Sequence, residues 1–209
     1  MSGGGDDLSK QPVTGLVLAG GMSIRLGQDK TRLRLHGEAG QDMLLRTARL
    51  LESVTPVVWI SCRPGSPRPV DRCACIYDDA DNMGPFGGVF AALRQAGGPV
   101  LALSCDLPFM DKDTLERLLE SRQNRPPHVV MTTYLRQETG FIESLVAVYE
   151  YAALPYFERA MCEGRRRLNR VVPPAARADI SYGQSEALAF FNINHPSDLE
   201  TALRIMETL

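Results

Sequence analysis

Short apolar runs alternate with amphipathic stretches along most of the chain. Apolar runs of about five residues, bounded by polar residues, glycine or proline, are typical of buried strands. The runs that predict strands are Gly15–Ala19, Val57–Ser61, Cys73–Tyr77, Val100–Cys105, Val129–Thr133 and Ser144–Tyr149. Runs that are apolar at consecutive positions favour parallel strands with helices on both faces.

The segments between these runs place apolar residues at helical spacing. They are MLLRTARLLESV, GGVFAALRQA, DKDTLERLLESR and, near the end of the sequence, SDLETALRIMETL. Asp113 with Glu116, and Ser197 with Glu200, predict capping boxes at the starts of the last two helices. The alternation predicts an α/β fold with three layers and a doubly wound, mostly parallel sheet.

Length and composition are those of one ordinary globular domain. The chain has 209 residues, of which 44% are hydrophobic, and a formal net charge of -2. The polar, glycine-rich residues 1–12 predict a flexible tail before a single domain at 13–209. No apolar run reaches the roughly 18 residues of a membrane helix, and the start lacks a signal-peptide pattern, so we expect a cytoplasmic protein without a membrane partner.

The charged and sulfur-containing residues exclude some partners. The near-neutral balance argues against non-specific nucleic-acid binding, and the basic run Gly164–Arg170 is short enough to predict a local anion site. The odd number of cysteines predicts reduced thiols. Cys73 and Cys75 as a zinc pair are the alternative, but no second pair or nearby histidine completes a tetrahedral set.

The candidate chemistry lies where predicted strands end, since open α/β sheets bind ligands at the carboxyl ends of their strands. Gly20 and Gly21 follow the first strand and let backbone amides approach a phosphate, with Arg25 and Lys30 supplying positive charge. The spacing is neither a Walker loop nor GxGxxG. A tight glycine turn with solvated cations is the alternative interpretation.

Two further strand ends carry carboxylates. Asp106 closes the strand in LSCDLPF and is a sufficient protein ligand for Mg²⁺, which takes most of its other ligands from phosphates and water. A turn aspartate before proline is the alternative there. In YDDADNMGPFGG, Asp78 ends a strand and Gly84 begins a rigid turn into a helix. A solvated acidic loop is the alternative for that segment.

These motifs together resemble the molybdenum cofactor guanylyltransferases, a family of nucleotidyltransferases. LAGGMSIRLGQDK is similar to the family's LAGG-x-S-x-R-M-G-x-DK, with Leu26 in place of methionine, and LSCDLPFM to its P-C-D-x-P-F. YDDADNMGPFGG, EGRRRL and FNINHPSDL resemble its later motifs, so the likeness spans Gly15 to about Leu199. It implies the nucleotide-diphospho-sugar transferase type of fold, with a Rossmann-like nucleotide-binding half.

The resemblance also implies roles for individual residues. Lys30 and Arg25 would contact the phosphates of GTP, and Asp106 would bind Mg²⁺. Arg165 and Arg166 become candidates for an anionic pterin. The remaining nucleotide or cofactor contacts implied are Leu18, Ala19, Gly20, Gly21, Asp78, Gly84, Asn192 and Asn194, although the two asparagines would alternatively cap the last helix.

The activity implied is magnesium-dependent transfer of GMP from GTP to the terminal phosphate of molybdopterin, with release of pyrophosphate. That phosphate is already anionic, so no catalytic triad is required, and His36, His128 and His195 are expected to be surface residues. Molybdenum cofactor carrier proteins and an apo-molybdoenzyme are the implied protein partners.

Two departures from the family pattern leave alternatives open. Glu143-Ser144-Leu145 stands where the family has His/Gln-Pro-Leu, and Ser61 and Cys62 stand where a nucleotide-contacting asparagine is usual. The alternatives are a molybdopterin cytidylyltransferase, a sugar-1-phosphate nucleotidyltransferase, a glycosyltransferase using Asp79 and Asp81, and a non-catalytic nucleotide-binding partner of a molybdoenzyme.

Overall fold

The computed structural model describes residues 11–19, 30–35, 41–62, 70–77 and 83–208, with only the backbone described at Lys30. Within these ranges the chain forms seven strands and five α-helices. The strands are β1 (Thr14–Leu18), β2 (Val57–Cys62), β3 (Ala74–Tyr77), β4 (Val100–Ser104), β5 (Met131–Arg136), β6 (Ile142–Tyr149) and β7 (Arg177–Tyr182). The helices are α1 (Met43–Glu52), α2 (Gly84–Ala96), α3 (Lys112–Gln123), α4 (Leu154–Cys162) and α5 (Pro196–Met206).

The strands form one sheet in the order β3-β2-β1-β4-β6-β5-β7. Strand β1 pairs in parallel with both β2 and β4, and β5 pairs in parallel with β7. Among the described strands, β6 alone runs antiparallel to its neighbours, β4 and β5. The mostly parallel, three-layer fold predicted from the sequence is therefore confirmed.

Helices cover both faces of the sheet, and alternate residues of the strands point to each face. Leu16 of β1 and Ala102 of β4 pack beneath α2 and α4, around Phe86 and Phe157. The opposite face packs beneath α1 and α3, where Val17 of β1 belongs to the buried cluster. This division explains why the central strands are apolar at consecutive positions.

The six predicted strands are all present, with ends that move by up to three residues. Strand β5 ends at Arg136 rather than Thr133, and β6 begins at Ile142 rather than Ser144. Strand β7 and helix α4 were not predicted. Only the last residue of β7 is buried, and the nine-residue α4 begins at a proline-containing turn, so neither gives a long periodic signal.

Both predicted capping boxes are wrong. Helix α3 begins two residues earlier, where Asp111 Oδ1 accepts a hydrogen bond from the Thr114 amide at 2.7 Å. Helix α5 begins at Pro196, and Asp198 Oδ2 accepts hydrogen bonds from the Asn194 and His195 amides, each at 2.8 Å. In both helices the amides near the first turn are therefore bonded by an aspartate that was not part of the predicted capping box.

Helix α5 lies against the segment that follows the glycine-rich stretch. Ala202 of α5, Ile193, Leu35 and Met43 form a buried cluster of their own. The cluster therefore anchors residues 30–35 and the start of α1. No helix in the described ranges is long and apolar enough to cross a membrane.

None of the described cysteines is in a disulfide. Cys62 and Cys105 are buried, Cys73 and Cys75 are half-buried, and Cys162 is exposed at the end of α4. Within the described ranges no group of three or more His, Cys, Asp or Glu side chains is placed to hold a metal.

Candidate active site

The carboxyl ends of three neighbouring strands lie in one row at the centre of the sheet. Leu18 of β1 pairs with Ser61 of β2 on one side and with Ser104 of β4 on the other. The chain leaves β1 towards β2, whereas β4 lies on the opposite side of β1, so this edge is the topological switch point at which α/β sheets bind ligands.

The first predicted binding motif is described only at its start. Leu18 and Ala19 are buried at the end of β1. Gly20, Gly21, Arg25 and Asp78 lie outside the described residues, as does the side chain of Lys30. The backbone of Lys30 belongs to a short 3-10 turn, Lys30–Arg32, in which Thr31 is buried.

Asp106 lies beside the end of β1. The amide of Cys105 donates a hydrogen bond to Leu18 O at 3.4 Å, so the backbone before Asp106 continues the pairing with β1. Ser104 Oγ donates to Asp106 Oδ1 at 2.6 Å and thereby orients the carboxylate. A half-buried, oriented carboxylate at the switch point fits the single protein ligand that a phosphate-bound Mg²⁺ needs.

Helix α2 packs very closely over the ends of β1 and β2. A Cβ atom added at Gly88 would lie 2.4 Å from Ser61 Oγ and 3.3 Å from Leu18 Cδ2. Gly84, a predicted contact residue, begins this helix with φ of 57°, a left-handed conformation that glycine adopts without strain. The two glycines thus place the start of α2 directly at the candidate site.

The two predicted asparagines flank the segment that covers Asp106. The Ile193 amide donates a hydrogen bond to Asp106 O at 3.0 Å, which joins this segment to the end of β4. Asn194 is exposed. Asn192 is half-buried, and its Oδ1 atom is buried without a hydrogen-bond partner among the described residues.

A cavity of about 440 Å³ opens next to Asn192. Its other lining residues come from the ends of β5, β6 and β7 and from the 3-10 segment Gln184–Phe190 that follows β7. They are Arg136, Glu143, Tyr182, Gln184, Ala187, Leu188, Phe190 and Phe191. Because β6 runs antiparallel, its first residues reach the same edge of the sheet as the ends of β4 and β5.

Glu143 is the carboxylate of this cavity. The Tyr182 hydroxyl donates a hydrogen bond to Glu143 Oε1, and Thr133 Oγ1 donates to the Glu143 carbonyl at 2.9 Å. The pairing of β5 with β6 shifts between Thr133 and Leu135, an irregularity that redirects the chain next to Glu143. Tyr182 of β7 therefore holds the Glu143 side chain, and Thr133 of β5 holds its backbone.

The electrostatics of the pair follow from burial. Burial raises the pKa of Glu143 above its ordinary value, although the Tyr182 hydrogen bond and the charge of Arg136 oppose the shift. Burial, together with the hydrogen bond to Glu143, raises the pKa of Tyr182 above that of free tyrosine. Tyr182 therefore stays protonated and donates to the carboxylate.

The basic run occupies a separate position. Arg165 and Arg166 are exposed just after α4, and Arg165 pairs with Glu163. The turn is closed by Gly164, with φ of 66°, and by a hydrogen bond from the Arg165 amide to Ala160 O at 2.8 Å. Neither arginine lines the cavity that contains Glu143.

From the sequence, Glu143 stood out only as a departure from the family pattern, and Arg136, Tyr182 and Gln184 were not predicted. All three lie on the far side of the sheet, at or after the ends of β5 and β7; β5 was predicted to end three residues earlier, and β7 was not predicted. The stretch ADISY, with polar and apolar residues in alternation, was the one available signal for β7.

Comparison with known proteins identifies relatives along nearly the whole chain. The family described as MobA-like NTP transferase domain matches residues 15–179. A molybdenum cofactor guanylyltransferase of Pseudomonas putida is 29% identical over 198 residues, which cover 90% of this chain and 96% of that protein. A molybdenum cofactor biosynthesis bifunctional protein of Synechocystis sp. is 32% identical over 203 residues, 94% of this chain, and the chain spans 55% of its length.

The fold has a counterpart among solved structures. The molybdopterin-guanine dinucleotide biosynthesis protein A of Archaeoglobus fulgidus superposes with a TM-score of 0.70 and is 25% identical. The match covers 94% of this chain and all of that chain. The likeness therefore includes both the β1–β4 half of the sheet and the β5–β7 half that holds Glu143.

Proposed function

The chain belongs to the MobA-like NTP transferase family, and on that premise we propose that it transfers GMP from GTP to the terminal phosphate of molybdopterin, with Mg²⁺ as cofactor. The observation that carries the proposal is Asp106, held by Ser104 at the switch point beside the end of β1. Two relatives named for molybdenum cofactor guanylyltransferase and molybdopterin-guanine dinucleotide biosynthesis support the choice of substrates.

In the proposed reaction an oxygen of the acceptor phosphate forms a bond to the α-phosphorus of GTP. The bond from that phosphorus to the β-phosphate oxygen breaks, and pyrophosphate leaves with the electron pair. Bound Mg²⁺ would neutralise charge on the triphosphate. The protein residues align the reactants: the start of α2 at Gly84 and the end of β1 at Leu18 and Ala19 border the nucleotide, and Asp106 holds the metal.

Lys30 and Arg25 are proposed to contact the triphosphate, and Asp78 the guanosine. These three assignments rest on the match of their motifs. The 3-10 turn that begins at Lys30 packs against α1, and the adjoining residues 33–35 pack against α5, so the chain after the motif has a fixed position. A lysine at the start of such an anchored segment is suited to a fixed electrostatic role.

The test is magnesium-dependent release of pyrophosphate with molybdopterin, comparing GTP, CTP, ATP and UTP. We expect release with GTP only when molybdopterin is present. Asp106→Asn and Lys30→Ala should each lower the rate by at least about 100-fold, a typical loss when a group that stabilises transition-state charge is removed. Asp113→Asn, which changes an exposed carboxylate at the start of α3, is the matched control and should keep the wild-type rate.

Each contrary result has a defined meaning. Preference for CTP would assign the chain to the cytidylyl-transferring alternative with the same mechanism. Release of pyrophosphate with a sugar-1-phosphate but not with molybdopterin would overturn the proposal that molybdopterin is the acceptor. Unchanged release in both Asp106→Asn and Lys30→Ala would overturn the site.

A further inference from the structure

The cavity around Glu143 lies at the ligand-binding edge of the sheet and has no assigned ligand. The cavity is next to Asp106. Asn192 lines the cavity, and the amide of the following residue, Ile193, donates a hydrogen bond to Asp106 O at 3.0 Å. A ligand in this cavity would therefore lie beside the proposed metal site, on the opposite side from β2 and β3.

Two hydrogen-bond acceptors in the cavity have unused capacity. Glu143 Oε1 accepts the Tyr182 hydroxyl, and Oε2 has no hydrogen-bond donor in the part of the chain that the structure describes. An ionised carboxylate offers about four lone-pair positions, so most of them remain open to a ligand. The Oδ1 atom of Asn192 is buried and likewise lacks a donor within the described ranges.

An unmatched buried acceptor costs free energy unless a donor completes it. Because Glu143 lines the cavity and keeps unused acceptor positions, the cavity favours a ligand that brings N–H groups. A phosphate or a sugar acid would instead place negative charge against Glu143, which the pocket disfavours. Arg136 and Gln184 also line the cavity, but the Arg136 guanidinium is paired with Glu138, with Nε 3.4 Å from Oε2, so its charge is shared between two carboxylates.

Aromatic side chains form one wall of the cavity. The Phe190 and Tyr182 rings lie 4.2 Å apart between centroids and are tilted by 31°, and Phe191 also lines the cavity. Phe190 is further packed on Tyr134 at 4.9 Å. Rings that are fixed in this way favour a planar heterocycle over a flexible acceptor.

From these observations we infer that Glu143, held by Tyr182, binds the pterin ring of the acceptor through its 2-amino and N3–H groups. The inference rests on the proposed function, since it supplies the acceptor half of that reaction. A carboxylate accepts two parallel N–H groups in the geometry that it also uses for a guanidinium. Glu143 is thus a specificity-determining residue rather than an obstacle to the acceptor.

The experiment uses the full chain with two stable probes that differ at the recognised edge. 6-Hydroxymethylpterin carries the 2-amino group, whereas 6-hydroxymethyllumazine has a carbonyl oxygen in its place. We expect the wild type to bind the pterin at least about tenfold more tightly, since a hydrogen bond to a charged group supplies that much discrimination. Fluorescence titration measures both dissociation constants.

Variants separate a role in recognition from a role in folding. Glu143→Gln keeps an oxygen for the Tyr182 hydroxyl but loses the charge, and it should reduce the pterin-to-lumazine preference to near one. Tyr182→Phe, which frees the carboxylate to move, should reduce the preference in part. Glu158→Gln, which changes an exposed carboxylate on α4 that does not line the cavity, is the matched control and should keep the full preference.

Binding of a fluorescent GTP analogue distinguishes the two ends of the site. It should be unchanged in Glu143→Gln; a parallel loss of GTP and pterin affinity would place the guanine ring in this cavity and overturn the inference. No preference for pterin in the wild type, or the same preference in Glu143→Gln, would also overturn it. Pyrophosphate release by the wild type tests the proposed function independently: turnover without pterin preference rejects only the inference, and pterin preference without turnover rejects only the proposed function.

Discussion

Two carboxylates lie near opposite ends of strand β6 and have very different partners. Glu150, just after the strand, is buried and paired with two guanidinium groups: Arg122 Nε lies 2.8 Å from Oε1, and Arg125 Nη2 lies 3.0 Å from Oε2. Glu143, near the start of the strand, receives one neutral hydroxyl from Tyr182. The Glu150 carboxylate thus has charged partners for both oxygens, whereas the Glu143 carboxylate has a neutral partner for one oxygen.

The difference separates a structural carboxylate from a recognition carboxylate. Glu150 lies at the amino edge of the parallel strands, where Arg122 Nη1 also donates to Gln11 O at 3.3 Å and joins the start of the chain to the sheet. Its lone pairs are occupied, so it has little left for a ligand. Glu143 lies at the carboxyl edge, where parallel strands bind ligands, and retains its capacity.

Removing the charge of Glu150 should have the largest effect on the stability of the fold. Glu150→Gln leaves two buried guanidinium groups without a counter-charge, and we expect the free energy of unfolding to fall by about 3–5 kcal/mol. Urea unfolding measures the change. Glu186→Gln removes the carboxylate of the exposed Arg117–Glu186 pair and should cost no more than about 1 kcal/mol. Equal losses in the two variants would contradict the assignment of a structural role to Glu150.

Replacing all three residues of the buried Arg122–Arg125–Glu150 cluster tests whether the uncompensated charge causes the loss of stability. Apolar residues at Arg122, Arg125 and Glu150 remove all three buried charges together, so no charge is left unmatched. We expect the triple variant to be more stable in urea than Glu150→Gln alone, because much of the cost of the single change is the uncompensated positive charge. A triple variant less stable than the single one would show that the hydrogen bonds to Gln11 O and Val129 O carry the stability instead.

Removing the Tyr182 hydroxyl, the hydrogen-bond partner of Glu143, should have a smaller effect on stability. Tyr182→Phe deletes the hydroxyl that bonds to Glu143, and we expect a loss of about 1 kcal/mol in unfolding free energy. Because that hydrogen bond opposes the effect of burial, the pKa of Glu143 should rise further in the variant. Carboxyl NMR titration measures it, and an unchanged pKa would contradict the contact.

The smallest effect is a pH dependence with a defined sign. Burial raises the pKa of Glu143, so the folded protein holds that proton more tightly than the unfolded chain. The free energy of unfolding contributed by this group therefore decreases as pH rises from the ordinary glutamate pKa, about 4.3, through the raised folded value. Glu143→Gln lacks the titration, so its stability relative to the wild type should increase across that window and then stay constant. A relative stability that decreases with pH would contradict the direction of the shift.

The half of the fold around β1 and β4 was predictable because its strands are buried on both faces. Continuous apolar runs such as Val100–Ser104 clearly predict buried strands. The residues that follow these strands therefore mark the position of the switch point. Asp106 could therefore be placed at the binding edge from the sequence. Its orientation by Ser104 could not, because that contact depends on the turn after β4.

The β5–β7 half was less predictable for physical reasons. Strand β7 mixes exposed and half-buried residues, and β5 is displaced from β6 between Thr133 and Leu135, so neither follows a clean period. The Glu143–Tyr182 contact joins residues 39 positions apart across those two irregularities. Sequence patterns can identify Glu143 as unusual, but only the three-dimensional arrangement brings it to a hydroxyl and an aromatic wall.

The close packing of Gly88 on Ser61 has a consequence for how this sequence can evolve. A methyl group at position 88 would overlap Ser61 Oγ at 2.4 Å and contact Ser61 Cβ at 3.0 Å. Alanine at 88 therefore requires the Ser61 hydroxyl to turn away from α2 or to be removed by substitution. Substitutions at positions 61 and 88 should therefore depend on each other, because both residues fill the same space between α2 and β2.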